Sequence, residues 1–228
     1  LDEAMAIEAI NDCLVNHHFK DAGATIVIED FLTGEEASIF AFTDGKTVLP
    51  MVPAQDHKAI YDGDKGPNTG GMGAYSPAPI ATEAVQDFVR DHVFQPLVDG
   101  FRKEGISYKG IIYAGLMIDH GAVNIVEFNI RFGDPETQVV LPRLGTDLVD
   151  VFEAIAQERL SEISLEWKPD AAVCVVLASK GYPGSYEKGK VIQGLDLVHD
   201  DVHVIHAGTA VSNQDDRSSV ITNGGRVL

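Results

Sequence analysis

From Val126 to Arg131 the stretch Ile125-Val-Glu-Phe-Asn-Ile-Arg-Phe-Gly-Asp-Pro-Glu136 alternates apolar and polar residues, then breaks into Gly-Asp-Pro. Successive side chains of a strand point to opposite faces, which puts Glu127, Asn129 and Arg131 on one face if the strand persists that far. Val126, Phe128 and Ile130 fall on the other face, which reads as core. One face therefore offers a carboxylate, an amide oxygen and a guanidinium in a row. A carboxylate with a carbonyl oxygen is a ligand set suited to Mg²⁺, which keeps waters and takes phosphate oxygens as its other ligands. A neighbouring arginine can hold the same phosphates or stabilise charge that develops as they transfer. The spacing fits equally a solvated strand face with a Glu–Arg pair.

Working outward, residues 110–118 read as a strand, Asp119-His-Gly121 as a turn and residues 122–129 as the returning strand. Residues 37–43 form another strand, with Asp44-Gly45 as a two-residue hairpin signal and Thr47-Val-Leu49 as the return. Residues 25–32 open on β-branched side chains and read as a strand entering a loop at Thr33-Gly34. Apolar residues at helical spacing predict helices over 3–19, 82–104 and 146–160. After Ser161 the texture changes to short strands (171–179, 190–192, 202–206) between Gly, Asn and Asp turns. The expected class is α+β: an antiparallel sheet with helices over 1–159, then a small β-rich domain over 160–228.

Composition removes several function classes. The 228 residues suffice for one large domain or two small ones. Lys+Arg number 17 against 35 Asp+Glu, a net charge of −18. Phosphate backbones repel such a chain, so nucleic acid is not an expected partner, whereas a small phosphorylated ligand needs only a few local cations. No apolar run approaches the roughly 18 residues of a membrane span, and residues 1–10 lack the basic start and apolar stretch of a secretory signal. Cys13 and Cys174 are too few and too far apart for a disulfide framework or a four-cysteine zinc site, and read as buried reduced thiols of a cytoplasmic protein.

Residues 53–79 hold four prolines and five glycines with almost no periodicity, and read as a long functional loop. Gly70, Gly71 and Gly73 would let backbone N–H groups approach an anion, and Lys58 and Lys65 add local positive charge. Two segments imitate nucleotide loops and fail. Gly184-Ser-Tyr-Glu-Lys-Gly-Lys-Val191 lacks the metal-binding hydroxyl at its last position, and Gly71-Met-Gly73-Ala-Tyr-Ser76 lacks the third glycine of the dinucleotide fingerprint.

Arg131-Phe-Gly-Asp-Pro-Glu136, Gln55-Asp-His-Lys58 and Gly66-Pro-Asn-Thr-Gly-Gly-Met-Gly-Ala-Tyr-Ser-Pro77 together closely resemble the phosphoribosylamine–glycine ligases, ATP-grasp enzymes of purine synthesis. Ile28-Glu-Asp-Phe-Leu-Thr-Gly-Glu-Glu36 resembles the family's adenine-side hinge. Gly181-Tyr-Pro-Gly184 and His206-Ala-Gly-Thr209 resemble its C-terminal domain. The resemblance implies a partial ATP-grasp fold and a reaction in which ATP phosphorylates glycine and 5-phosphoribosylamine then attacks the acyl phosphate. It implies Glu127 and Asn129 as ligands of Mg²⁺ or Mn²⁺, Arg131 as steadying the transferring phosphoryl group, and Lys58 or Lys65 as approaching phosphate. It assigns Glu29, Asp30, Phe31 and Leu32 to adenine, Glu36 to the ribose hydroxyls, Asp134 to the glycine ammonium, and Asp56 and Gly71 to the substrate side.

Relative to that family the chain reads as an internal fragment without the N-terminal part, the lysine-bearing phosphate loop or the C-terminal tail. Gly115, Leu116 and Met117 stand where other ATP-grasp enzymes often place a further carboxylate, with only Asp119 acidic nearby. Two other readings stay open: a nucleotide-binding fragment without catalysis, and a related carboxylate–amine ligase with a different substrate.

Overall fold

Asp2 caps the first helix: its carboxylate accepts the Met5 backbone N–H at 2.9 Å, and Glu3–Leu14 (α1) follows. The computed structural model describes residues 2–214 and 217–228. α1 ends five residues short of the expected limit, because Asn16 and His18 bond back to Asn11 and Asp12 and His17 takes φ +50°. The strand expected over 25–32 is not formed. Phe31 is 88% exposed, and the described residues up to Thr33 contain no strand for it to pair with. β-branched residues favour a pleated surface only where a partner strand supplies one. Leu1–Thr33 is one compact unit and Gly34–Leu228 another.

In the second unit the Asp44 carboxylate accepts from the N–H groups of Lys46 and Thr47, and Gly45 takes φ +90°. The chain reverses there, as Asp-Gly predicts. The strands are Glu35–Thr43 (β1), Val48–Pro50 (β2), Gln55–Asp56 (β3), Ala59–Tyr61 (β4), Lys65–Asn68 (β5), Gly73–Ser76 (β6), Gly110–Asp119 (β7), Ala122–Asn129 (β8), Ala172–Val175 (β9), Thr209–Gln214 (β10) and Arg217–Thr222 (β11). The main sheet runs β2-β1-β7-β8, antiparallel throughout. One face packs on Glu83–Val89 (α2) and Gln95–Lys103 (α3), which a π-helical turn at Arg90–Phe94 joins where one long helix was expected. Ala37, Ile39, Ala41, Ile112, Ala114, Leu116 and Ile118 meet Val85, Val89, Phe94 and Val98 there. Phe40, Phe42 and Tyr113 on the opposite face meet Val139 of Thr137–Val140 (α4), Val151 and Ile155 of Leu148–Ala156 (α5), and Leu160. Each of these large side chains contributes about 1.5–3 kcal/mol by leaving water.

β8 corrects the expected core face. Val126, Phe128 and Ile130 are 46%, 41% and 69% exposed. β8 is the edge of the sheet, and from it only Val123 packs against the helix-side core. A register shift intervenes as well: Leu116 faces Ile125 but Gly115 faces Glu127, so Val126 is the extra residue of a bulge. The long loop is corrected too. Residues 53–79 contain β3 to β6, and β6 pairs with both β3 and β9 in a three-stranded sheet. The segment after residue 160 therefore shares a sheet with earlier residues, inside the second unit. Of the later strands, residues 190–192 form only an isolated bridge from Val191 to Ile221, and 202–206 form none. The antiparallel pair β10 and β11 lies further on, because strand partners are set by mutual register that short windows do not reveal. Cys13 and Cys174 are free and half-buried rather than fully buried.

Candidate active site

The bulge in β8 sets the phase of the strand's last turn of alternation, so that Glu127 and Asn129 stand opposite Gly115 and Tyr113. A Cβ at Gly115 would come within 3.2 Å of the Glu127 side chain, so the glycine leaves that side chain room. Asn129 Nδ2 donates to Glu127 Oε1 at 3.2 Å. β8 ends at Asn129, and Arg131 lies beyond it, its Nη1 donating to the Phe132 carbonyl at 2.9 Å. All three side chains nevertheless line one cavity of about 210 Å³, together with Asp56, Lys58, Thr69, Gly70, Tyr113, Gly133, Asp134 and Glu136.

Across that cavity Lys58 Nζ is 2.6 Å from Glu36 Oε2 and 4.0 Å from Asp56 Oδ2. Burial alone would pull the Lys58 ammonium down, but its hydrogen bond to Glu36 and the charges of Asp56, Glu36 and Glu127 outweigh burial and raise it. Lys58 and Asp56 also line a second, adjoining cavity of about 340 Å³ with Glu36, His57 and Tyr75. Asp56, in β3, is 4% exposed at its side chain. Burial pushes its carboxyl up to about 6, helped by Glu136 and Glu36 and opposed by Lys58.

The floor is a buried hydrogen-bonded set. Ser38 Oγ donates to Glu136 Oε1 at 2.9 Å and lies 3.1 Å from the Tyr113 hydroxyl. Burial, with Glu136 beside it, raises the Tyr113 phenol above its ordinary range, so it stays protonated. Gly133 is required under this set: a Cβ there would lie 2.4 Å from Glu136 Oε2.

The structure separates the two loop lysines. Lys65 opens β5 on an exposed hairpin and lines neither of these cavities, whereas Lys58 lines both. The glycine run is not an anion cradle. The Gly70 N–H donates to the Tyr182 hydroxyl at 3.2 Å, the Gly71 N–H to Thr69 Oγ1 at 3.0 Å and the Met72 N–H to the His57 carbonyl at 2.7 Å. These glycines serve close packing instead: Gly71 has φ +113°, and a Cβ there would lie 2.4 Å from the Pro135 ring. Glu29, Asp30, Phe31 and Leu32 lie in the first unit, in a segment with no helix or strand, and Glu36 lies in β1 of the second.

Sequence reasoning missed Ser38, Tyr113, Tyr182 and Arg226. The first two carry a weak signal, polar groups inside apolar strands; Tyr182 and Arg226 reach the site from about ninety or more positions away, which no local pattern reveals. Among the described residues no group of three or more His, Cys, Asp or Glu could hold a metal ion. The Glu127 carboxylate with the Asn129 amide oxygen is a two-ligand set, of the kind that phosphate oxygens and waters complete around Mg²⁺.

Comparison with known proteins shows the family. The family described as "Phosphoribosylglycinamide synthetase, ATP-grasp (A) domain" matches residues 1–137, and its C domain matches residues 172–228. A phosphoribosylamine–glycine ligase of Neisseria meningitidis is 52% identical over 229 aligned residues, covering all of this chain and 53% of that protein. The same enzyme of Vigna unguiculata is 49% identical, covering 98% of this chain and 72% of that protein. The crystal structure of phosphoribosylamine–glycine ligase from Thermotoga maritima superposes with a TM-score of 0.75 at 33% identity, over 99% of this chain and 55% of that one. The chain spans about half the length of most curated relatives it matches, 42% and 53% in two cases. Among the described residues no helix is long and apolar enough to cross a membrane.

Proposed function

Because the chain belongs to the phosphoribosylglycinamide synthetase family, we propose that it ligates glycine to 5-phosphoribosylamine with ATP, giving glycinamide ribonucleotide, ADP and phosphate. One observation carries the reading: Glu127 and Asn129 share a cavity of about 210 Å³ with the cations Lys58 and Arg131 and the further carboxylates Asp56, Asp134 and Glu136. Such a set suits phosphoryl transfer to a carboxylate, where like charges must approach.

Glu127 and Asn129 would hold Mg²⁺ or Mn²⁺ through their side-chain oxygens. The metal, when bound, screens the phosphate charge. Arg131, two residues past the end of the ligand strand, steadies the γ-phosphoryl group as its bond to ADP breaks and a bond to the glycine carboxylate oxygen forms. Lys58 adds a second cation on the opposite wall and is itself held by Glu36. Asp134 takes the glycine ammonium. In the second step the amine nitrogen of 5-phosphoribosylamine attacks the acyl carbon, phosphate leaves, and the nitrogen gives up a proton. Asp56 faces both cavities, and its raised carboxyl suits it to receive that proton near neutral pH.

Two measurements test the reading. Calorimetric titration with a non-hydrolysable ATP analogue, with and without Mg²⁺, is expected to show metal-dependent binding. ADP release is expected to depend on glycine and not on other amino acids; release that other amino acids stimulate equally would point to a different carboxylate–amine ligase.

A further inference from the structure

Arg226 lies two residues from the end of the described chain and reaches back to two loops of the candidate site. Its Nη1 donates to the Gly70 carbonyl at 2.8 Å, the Gly71 carbonyl at 3.4 Å and the Asp134 carbonyl at 3.1 Å. Its Nη2 donates to Asp134 Oδ2 at 3.1 Å. One planar guanidinium thus joins the glycine run to the loop after the ligand strand. The approach is close: a Cβ at Gly70 would lie 3.1 Å from the guanidinium carbon, so the guanidinium would have to give by a few tenths of an ångström.

The backbone of Arg226 is tied to two other segments. Its carbonyl accepts the Gly208 N–H at 2.9 Å, and it bridges to Ala178. Gly208 fits only because it lacks a side chain, a Cβ there falling 2.3 Å from the Arg226 carbonyl oxygen. The same C-terminal segment supplies Tyr182, whose hydroxyl accepts the Gly70 N–H at 3.2 Å. The glycine run is therefore gripped at both its N–H and its C=O groups from the C-terminal region.

The second partner is the Asp134 carboxylate. Oδ2 takes Arg226, and Oδ1 takes Gln138 Nε2 at 2.8 Å. A carboxylate has about four lone-pair sites, so both oxygens keep acceptor capacity for a ligand after these two bonds. Asp134 and Gly70 line the cavity, and Arg226 stands behind them.

We propose that Arg226 is a positioning residue for the amino-acid substrate: it locks the Gly70–Gly71 backbone and the Asp134 carboxylate into one wall, so that a protonated amine meets an already oriented acceptor. The proposal rests on the functional reading above, in which Asp134 takes the glycine ammonium. It gives the C-terminal region a part in binding the amino acid without touching it.

The test compares Arg226→Ala, Arg226→Lys and Tyr182→Phe with the parent chain. Loss of the clamp is expected to raise the KM for glycine about tenfold or more, with the KM for ATP within about twofold, because the metal and phosphate side keeps its own supports. Arg226→Lys should recover part of the loss, keeping the charge but not the fork, and Tyr182→Phe should give a smaller effect in the same direction. Amide hydrogen exchange, followed by mass spectrometry on peptides covering residues 66–77 and 130–140, should quicken in both segments together in Arg226→Ala. Equal rises in both KM values, or quickened exchange in one segment only, would overturn the proposal. If the parent chain releases no ADP in response to glycine, the functional reading falls and the substrate role with it. The paired exchange change is independent of turnover and still decides whether Arg226 couples the two loops.

Discussion

Lys58 Nζ and Glu36 Oε2 stand 2.6 Å apart at the wall between two adjoining cavities. The pair joins β1 to the segment after β3, and it leaves the ammonium facing Glu127 across the first cavity. Partly exposed ion pairs contribute little to stability, so the significance of this one lies in placing a cation. Lys58→Met is expected to weaken binding of a non-hydrolysable ATP analogue by about tenfold, the loss of one charge-assisted contact. Calorimetry checks it. Unchanged affinity would remove Lys58 from the phosphate side.

Glu127 sits on an edge strand and is exposed, so it does not hold the core. Glu127→Ala should abolish the Mg²⁺ dependence of nucleotide binding while changing stability by no more than about 0.5 kcal/mol, the usual range for a surface site. A thermal melt beside the titration separates the two effects. A large fall in Tm would make the residue structural.

Asp56 gives stability a pH dependence of a definite sign. Its folded carboxyl is raised from the ordinary 3.8 to about 6, by burial first. Between those values the folded chain binds more protons than the unfolded one, so the Asp56 contribution is fully present below pH 4 and is lost as pH rises through 6. Asp56→Asn should therefore gain on the parent between pH 4 and pH 7.5 by about 1–3 kcal/mol. Urea unfolding at the two pH values measures the difference. An equal gap between the two proteins at both pH values would show that Asp56 does not titrate in this range.

Arg143 is 7% exposed and is held by hydrogen bonds to Ser76 Oγ, the Asp170 carbonyl and the Lys168 carbonyl. It ties β6 to the segment leading into β9. Arg143→Ala removes three hydrogen bonds, of which the one to Ser76 Oγ is buried, and a loss of about 1–3 kcal/mol is expected in denaturant unfolding. A loss under about 0.5 kcal/mol would mean that water replaces the guanidinium at no cost.

The parts of the fold legible in the sequence were those set by local signals. Period-two alternation and the Asp-Gly and Asp-His-Gly turns located β1, β2, β7 and β8, and the 3.6-residue period located α2, α3 and α5. The short strands of residues 53–79 escaped, because β3 has two residues and β6 finds its partner β9 about a hundred positions away. The strand expected at 25–32 failed for the converse reason, a β-prone stretch with no ladder to join. In the site, Glu127, Asn129, Arg131, Lys58 and Asp134 were legible as chemistry-bearing types and do line one cavity. The misread apolar face of β8 came from assuming that the apolar face of an alternating strand is covered, which holds for the inner strands β1 and β7 and not for this edge. Arg226 was illegible because a lone arginine among glycines carries no local pattern.

The edge position of β8 also sets the thermodynamics of ligand capture. Its ladder has a neighbour on one side only, so the residues bearing the ligand oxygens open more cheaply than those of β1, which is paired on both sides. Any ligand that bridges Glu127 and Asn129 to the opposite wall must first quiet that fraying, and part of its intrinsic affinity goes into ordering the strand. Ligand binding and local opening are thereby linked: saturating ligand should slow amide exchange along β8 more than along β1, and a substitution that stiffens the edge without entering the cavity should tighten binding.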